Sequence, residues 1–496
     1  MDDLRLRKKN LILFPLGTIG RDMVYNLFAS QLLTFVLFTR FLTAAQLTAI
    51  TAIMVAARVF DALNDPIMGN IIERTRSRYG KFKPWLVIGI LSTSVVVYLM
   101  FNTKLQGWGF VWFFGLMYFL YSITYTMHDI SYWGMVPALS SDANARNQFT
   151  ARATLFAGIG STAASIFIPM LTAGSMTIGG SASVAYGRIA LVVSILAPLF
   201  LAFTVFGAKE RRDDMQEAAP PISFKKIFRT IAANDQLLWV SLIFLIQQIG
   251  LNLVLGGLGS TYIYFEFGYA GGLYSLFTTV GMSATAFLMI FYPAISRHIT
   301  RKKLMGLMMV ISSVGYCLMF FPGVLLASGT AKFACIVVGY MLSNFGQYCY
   351  YLIMMISIIN TVEYSEYKTG SRDEAIIASL RPFITKLSSA LVVALTSFTY
   401  IIFGVTDFTN QISTLEQSCT QGLISESEKL SQIGAVLQGV APGQNLGLLF
   451  AMTIVPWLLM LLSYLLYKKH YKLDEAEYER ICQEIQRRKA GAAPSP

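Results

Sequence analysis

The residues best suited to bind an ion lie in one short stretch inside an apolar run. Arg58, Asp61 and Asp65 are spaced i, i+3 and i+7, so on a helix they share one face, and Asn64 lies beside Asp65. Two carboxylates and an amide oxygen offer the oxygen ligands that a hard cation such as sodium prefers. Charges in hydrocarbon are costly, so these side chains should face a protein interior or a water-filled cavity. The pattern favours an ion pathway, and the alternative is a static Arg58–Asp61 ion pair that holds two helices together.

Ionisable side chains also lie at four other places inside apolar runs: Arg21 with Asp22, Asp129, Arg152, and Arg381 with Lys386. With Asp61 and Asp65, the N-terminal half offers four acids, and the C-terminal half offers two bases. Paired across a central cavity, these acids and bases would largely neutralise one another. Arg381 and Lys386 are spaced i and i+5, so they do not stack directly, although both can reach a wide cavity.

The surroundings of Asp129 favour a hydroxylated solute. Asp129 and Trp133 are spaced i and i+4, so a carboxylate and an indole meet on one side of a helix. Proteins hold sugars in this way, because acids accept hydrogen bonds from hydroxyls while a ring covers the apolar sugar face. The same run is rich in tyrosines, at Tyr118, Tyr121, Tyr125 and Tyr132. The alternative for Trp133 is an aromatic belt residue at the membrane interface.

Composition identifies a polytopic membrane protein. Of 496 residues, 55% are hydrophobic and only 13% are charged, whereas a soluble domain carries about a quarter charged residues. The net charge of +12 does not indicate a nucleic-acid partner, because the basic residues cluster at the ends of apolar spans. The five cysteines and three histidines show no metal-ligand spacing, and no catalytic cluster indicates an enzyme. The expected environment is therefore the lipid bilayer.

Twelve apolar spans have helical length, each about 20 residues or more. They are 12–38, 45–72, 84–103, 108–137, 148–175, 186–208, 236–258, 270–296, 303–328, 332–358, 375–405 and 444–467. Basic residues concentrate in both tails and in the connections after even-numbered spans, which places both termini in the cytoplasm. The sequence predicts an all-α, multi-pass protein of the cell (inner) membrane.

Polar stretches divide the spans into two groups of six. We predict an N-terminal bundle at 1–208, a cytoplasmic linker at 209–235, a C-terminal bundle at 236–467 and a cytoplasmic tail at 468–496. An extracellular stretch at 406–443 interrupts the second bundle, and its composition allows either a short amphipathic helix or a flexible loop. Two six-span bundles are typical of transporters whose sites lie near mid-membrane.

Three motifs resemble those of the glycoside–pentoside–hexuronide:cation symporters, the melibiose-permease-like family. They are RVFDALNDP at 58–66 followed by RTRSRYGKFKPW at 74–85, YTMHDISYW at 125–133, and EYSEYK at 363–368. The resemblance extends from Arg21 to the C-terminal tail. It implies the major facilitator fold, with two six-helix bundles, and cation-coupled uptake of a sugar-like solute.

The resemblance also assigns roles to residues. The matched cation site, expected to hold sodium, is Asp61, Asn64, Asp65 and Thr126. The matched sugar contacts are Asp22, Asp129 and Trp133, with Arg21 as a basic neighbour and Tyr125 in the same motif. Lys386 matches a lysine that links the sugar and cation sites. Arg58, Glu363 and Glu366 lie in the family's motifs and are expected to act in coupling or gating.

Three positions depart from the family's type member. Arg152 lies about two residues from the position of the family's span-five arginine, where this chain has Thr154. Tyr351 stands where the type member has tryptophan, and Arg381 where it has glutamine. All three of these side chains are expected at the solute site. Because a guanidinium fork fits a carboxylate, Arg381 makes an acidic solute one hypothesis, and pairing of Arg381 with Asp22 or Asp129 is the alternative.

The function predicted from the sequence is symport of a glycoside or uronide with sodium or a proton, by a monomer that uses no cofactor. One alternative is a carrier of an amphiphilic or lipid-like solute on the same fold. The number of charged groups expected in the cavity favours a hydroxylated solute over an acyl chain. Another alternative is a non-transporting sensor, which would normally carry an added signalling domain.

Overall fold

The computed structural model describes residues 2–140, 142–208, 231–371 and 374–491, and these residues form helices and no strand. The helices are α1 (Asp2–Ala29), α2 (Leu32–Thr39), α3 (Ala44–Arg74), α4 (Lys83–Asn102), α5 (Gly107–Leu139), α6 (Ala143–Thr172), α7 (Ala182–Ala202), α8 (Asp235–Asn252), α9 (Gly259–Phe267), α10 (Gly271–His298), α11 (Arg301–Leu325), α12 (Thr330–Thr369), α13 (Glu374–Ile402), α14 (Val405–Thr420), α15 (Glu426–Gln438), α16 (Pro442–His470) and α17 (Glu475–Gly491). Short π-helical turns follow α7 and join α8 to α9.

Every predicted span coincides with one helix or with a pair of consecutive helices. Among the described residues, ten helices are long and apolar enough to cross a membrane when α8 and α9 count as one, and the bent pair of α1 and α2 makes an eleventh. The predicted eighth span coincides with α10, which is not one of these ten. The count of twelve spans and the cytoplasmic position of both termini stay predictions.

Two predicted spans are not straight helices. The first bends by 46° between α1 and α2, at the polar pair Ser30 and Gln31. The seventh continues beyond residue 258, as far as Phe267, and is interrupted at Gly257. Gly257 has a φ of 121°, which only glycine adopts readily, and its freed carbonyl accepts a hydrogen bond from the Tyr400 hydroxyl at 2.7 Å.

The residues pack as two compact units. The first contains the described residues within Met1–Ala219, Leu255–Thr279 and Val393–Asn445, and the second contains those within Pro220–Val254, Val280–Val392 and Leu446–Pro496. In the first unit, α1 packs along α6 and α7, and α5 packs along α3 and α4. Residues 209–230 of the predicted linker lie outside the described residues. The predicted bundle boundaries stay predictions.

The stretch predicted at 406–443 is helical. Of the two alternatives left open by its composition, the structure shows the helical one, as the pair α14 and α15. Each helix has a local reason to begin: Gly404, with a φ of 61°, turns the chain into α14, and the Ser425 hydroxyl caps α15 by accepting a hydrogen bond from the Glu428 amide.

The tail helix α17 docks on the second unit. The Arg301 backbone amide and its Nε atom both donate to Glu475 Oε1, at 2.7 and 3.1 Å, and the α17 side chain Ile481 is fully buried. A hydrogen bond from Lys302 lowers the pKa of Asp474 below its ordinary value. A lowered carboxyl pKa means that this contact stabilises docking at neutral pH and is lost as the pH falls through the lowered value.

Glu475→Gln is expected to loosen α17, because it removes the charge that Arg301 contacts twice. Loss of a charge-assisted hydrogen bond costs about 1.5–3 kcal/mol, so amide hydrogen exchange in α17 should rise roughly ten- to hundredfold. Glu479→Gln is the matched control, because Glu479 is exposed on the same helix. Equal exchange in the two variants would contradict the assigned role of Glu475.

Candidate functional site

Three of the four predicted cation residues, Asp61, Asp65 and Thr126, take part in contacts between α3 and α5. The Ser122 hydroxyl donates a hydrogen bond to Asp61 Oδ1, and the Thr126 hydroxyl donates to Asp65 Oδ1 at 3.2 Å. Both pairs are 61 residues apart in the chain, so the two helices run in the same direction here and match turn for turn. The result is a column of carboxylate and hydroxyl oxygens spread over one helical turn.

This oxygen cluster is buried. Asp61 is 7% exposed, Asn64 is 6% exposed and Thr126 is 4% exposed. The Asn64 Nδ2 atom has no hydrogen-bond partner among the described residues. Arg58 Nη1 lies 3.8 Å from Asp61 Oδ2, which is longer than a hydrogen bond. The Arg58–Asp61 pair therefore exists, but the other oxygen of Asp61 is held by Ser122.

Ser122 was missed by the sequence analysis. A serine in an apolar span carries no charge to mark it, and its partner lies in another helix. A signal was present, however: Ser122 and Thr126 are four residues apart, the same spacing as Asp61 and Asp65. When two helices run in the same direction in register, equal spacings bring both pairs together.

Arg21 organises a second cluster. Its Nε and Nη2 atoms donate to Asp22 Oδ2 at 3.0 and 2.8 Å, and its Nη1 atom lies 3.1 Å from Asp129 Oδ1 as an ion-pair contact. The guanidinium carbon lies 5.1 Å from the ring centres of both Tyr132 and Trp133. The Arg21 side chain is 5% exposed, whereas that of Asp129 is 35% exposed. The arginine is thus fixed inside, and carboxylate oxygen remains accessible beside an aromatic face.

Arginines of the first half of the chain pair with several of the predicted acids. Asp22 and Asp129 pair with Arg21, and Asp61 pairs with Arg58, so three of the four acids have an arginine partner from the first half of the chain. Each arginine lies close to its partner because it belongs to the same helix or to one packed nearby.

An aromatic column on α5 connects the two clusters. The Tyr125 ring lies 5.3 Å from that of Tyr121, 5.6 Å from that of Tyr25 and 4.6 Å from that of His128. Tyr125 is one residue before Thr126 and four before Asp129, so it stands between the cation residues and the Arg21 cluster. The half-buried Trp133 ring contacts both Arg21 and Tyr132.

Arg152 is not brought to this cluster in the structure. It is exposed, and its Nη1 atom donates to the Leu11 carbonyl at 3.2 Å. Leu11 precedes Arg21 by ten residues on α1, which is about 15 Å along a helix. The structure therefore places Arg152 nearer the beginning of α1 than the Arg21 cluster is.

The second unit holds the remaining predicted residues. Arg381 is exposed and donates from Nη2 to the Tyr351 hydroxyl at 2.9 Å, and Lys386 is half-buried on the same helix. Glu363 and Glu366 lie in a helix. Both belong to α12, which continues to Thr369 and ends where Gly370 adopts a φ of 74°.

No group of three or more His, Cys, Asp or Glu side chains among the described residues is placed to hold a metal ion. The α3–α5 cluster instead combines two carboxylates with two hydroxyl oxygens, and Asn64 is next to Asp65 in the sequence of α3.

The chain matches the family described as MFS/sugar transport protein over residues 13–475. It belongs to this family. The match covers both predicted bundles and confirms the major facilitator fold and the membership that the motifs indicated. It also confirms the predicted multi-pass position in the cell membrane. The family and the relatives below are transporters, which agrees with the prediction that the chain is not an enzyme.

Named relatives are sugar carriers. The chain is 30% identical over 417 residues to the lactose permease of Leuconostoc lactis, covering 80% of this chain and 63% of the permease. It is 24% identical to the raffinose carrier protein of Pediococcus pentosaceus, covering 96% of this chain and 71% of the carrier. The chain spans about three fifths of the length of the lactose permeases that it matches.

Solved structures share the fold. A bacterial homologue of the human lysosomal transporter Spinster, in an inward-facing conformation, superposes with a TM-score of 0.59 at 13% identity, covering 94% of this chain and 98% of the homologue. The nucleoside transporter NupG superposes with a TM-score of 0.57 at 13% identity, covering 86% of this chain and 99% of NupG. At these identities the likeness concerns the fold alone.

Proposed function

We propose that this protein is a cation-coupled symporter that imports a sugar or glycoside by alternating access. The observation that carries this proposal is that one helix, α5, bears both clusters, with Thr126 in the oxygen cluster and Asp129 in the Arg21 cluster. The two residues are three apart, so they lie on adjoining turns. The names of the sugar-carrying relatives support a sugar over an amphiphilic solute.

The cation is proposed to bind at Asp61, Asn64, Asp65, Thr126 and the newly found Ser122. The two hydroxyls now donate to the carboxylates. When a sodium ion binds, each hydroxyl would rotate and present a lone pair to it. A proton would instead bind a carboxylate directly, so the cluster is compatible with either coupling ion.

The solute is proposed to bind at Asp129, Asp22 and Trp133. A carboxylate has about four lone-pair directions, and Arg21 uses only some of them, so sugar hydroxyls can donate to the rest. The half-buried Trp133 ring offers its face to an apolar side of the sugar. Transport by a monomer is part of the proposal.

Coupling follows from the shared helix. A cation held between α3 and α5 fixes the position of α5 and therefore of Asp129. The cation then favours the conformation that binds solute, and by linkage the solute must favour cation binding by the same factor. Lys386 and Arg58 remain proposed coupling residues, and Glu363 and Glu366 remain proposed gating residues.

Purified protein in liposomes tests the function. We expect labelled mono- or disaccharides to accumulate above the outside concentration when an inward sodium or proton gradient is imposed, and not when both gradients are collapsed. A screen of neutral and acidic saccharides under both gradients identifies the solute and the ion. Accumulation of none of them under either gradient would refute the proposal.

From the exposed position of Arg381 we predict that the solute site prefers an acidic solute to a neutral one. Its guanidinium is exposed and donates a hydrogen bond to a neutral group, the Tyr351 hydroxyl. We expect a glucuronide to bind about ten- to hundredfold more tightly than the matching glucoside, because a charge-assisted hydrogen bond contributes about 1.5–3 kcal/mol. Competition binding in the wild type and in Arg381→Gln measures this ratio.

The preference for the acidic member should vanish in Arg381→Gln and persist in the control Tyr351→Phe, which removes the hydroxyl and keeps the charge. Equal affinity of the wild type for both members of the pair would show that the solute is neutral, and Arg381 would then have no role in solute charge selection.

A further inference from the structure

The helical pair α14–α15 makes specific contacts with the N-terminal half of the chain, all of them inside the first unit. It is encoded between α13 and α16, in the C-terminal half. Its predicted location is extracellular. Val405, Thr409 and Ile412 on α14 are buried at 1% exposure or less, so this helix is packed rather than loosely attached.

The first contact is with the backbone that follows α2. Asn410 Oδ1 accepts a hydrogen bond from the Leu42 amide, and Asn410 Nδ2 donates to the Leu42 carbonyl, both at 2.8 Å. Gln417 Nε2 donates to the Thr39 carbonyl at 3.2 Å. Carbonyls at a helix C-terminus lack partners within the helix, and α14 supplies one here.

The second contact is with the beginning of α7. Glu416 Oε2 accepts a hydrogen bond from the Ala182 amide at 2.7 Å, where a helix N-terminus favours negative charge. Lys429 Nζ on α15 lies 3.3 Å from the same Glu416 oxygen and donates to the Gly180 carbonyl at 2.6 Å. The side chains of Glu416 and Lys429 are both fully buried.

A third pair completes this contact. The hydroxyls of Ser181 and Thr420 lie 2.7 Å apart, just before α7 and at the end of α14. The packing is looser beside α15. A cavity of about 480 Å³ lies there, between α15 and the turn after α9, and its lining includes Glu266, Tyr269, Leu430 and Leu437. The pair α14–α15 is therefore held by a few hydrogen bonds and one ion pair, and it is not closely packed on every side.

We propose that α14–α15 is an outer clasp, which holds the two halves of the chain together on the extracellular side and must release before the solute path opens outward. This inference rests on the proposed transport function. Alternating access requires the halves to separate at the outer side. These hydrogen bonds and the Glu416–Lys429 ion pair join the halves through backbone groups and buried charged side chains. Water can form hydrogen bonds with those groups after release.

A reversible tether tests the clasp. In a Cys419→Ala background, Ser181→Cys with Thr420→Cys should form a disulfide, because the native hydroxyls are 2.7 Å apart. In the oxidised protein, solute accumulation should fall at least tenfold and return when a reductant is added. The two single-cysteine variants, oxidised in the same way, should accumulate solute normally. Normal accumulation by the fully cross-linked protein would overturn the proposal.

A second measurement does not depend on transport. Cys419 is half-buried, and its thiol contacts the Gly180 carbonyl, so its alkylation by a maleimide reports release of the clasp. Asn410→Ala should raise the alkylation rate at least tenfold, whereas Thr414→Ala, which removes an exposed bond within α14, should not. An unchanged rate in Asn410→Ala would overturn the clasp even in a protein that transports no saccharide, and failure of transport alone would refute only the proposed function.

Discussion

Replacing Asp61 or Asp65 by asparagine is expected to abolish cation-driven accumulation of solute while part of the solute binding remains. Asparagine has nearly the same shape, and its amide oxygen still accepts the hydrogen bond from Ser122 or Thr126, so the α3–α5 contact should survive. What disappears is one of the two negative charges that attract the cation. Accumulation in liposomes under an imposed gradient and calorimetric solute binding, measured on the same preparation, separate these effects.

The expected loss is complete for accumulation, because a symporter that cannot bind its ion cannot use the gradient. Ser122→Ala should weaken cation binding less than either aspartate variant, because it removes a neutral ligand. Asp142→Asn is the matched control: Asp142 caps α6, asparagine caps equally well, and one negative charge is lost away from the cluster. Normal accumulation against a gradient by Asp61→Asn or Asp65→Asn would show that the ion site lies elsewhere.

Asp129→Asn and Trp133→Ala are expected to lower solute affinity by roughly one to two decades, since a charge-assisted hydrogen bond contributes about 1.5–3 kcal/mol. The fold should tolerate the first change, because Arg21 keeps its two hydrogen bonds to Asp22. The second change removes the ring face proposed to cover the sugar. Calorimetric titration with the solute found in the saccharide screen measures both.

Trp112→Ala is the control for the ring. Trp112 lies on the same helix and is 76% exposed, on a surface suited to lipid, so its loss should leave solute affinity unchanged. Wild-type affinity in both Asp129→Asn and Trp133→Ala would place the sugar site elsewhere in the molecule and leave the Arg21 cluster as a structural ion pair.

The sequence was most informative where a charged residue lies in an apolar span. Asp61, Asp65 and Asp129 were recognised because a charge in hydrocarbon needs a reason, and periodicity then placed them on helix faces. Ser122 has no such mark, because a serine costs little in a membrane helix. Its role depends on the register between α3 and α5, and no pattern within one helix specifies that register.

The sequence also did not specify which charged side chains pair or where α12 ends. Arg21 meets Asp22 and Asp129 because the three residues lie on α1 and α5, and no pattern within one helix specifies which charges of two helices meet. Residues 363–368 are polar, and they remain helical because α12 continues to the glycine at 370. The contacts of α14 are made largely to backbone groups, which every residue type carries, so residue types did not reveal them.

The central claim, that cation and solute bind to one chain and favour each other, is tested most directly by calorimetric titration of the wild type. Solute is titrated with and without a saturating cation, and cation with and without saturating solute, with sodium and protons examined separately. The account predicts that one of these cations raises solute affinity, and that the solute raises affinity for that cation by the same factor. Solute affinity that is independent of both sodium and pH would contradict it.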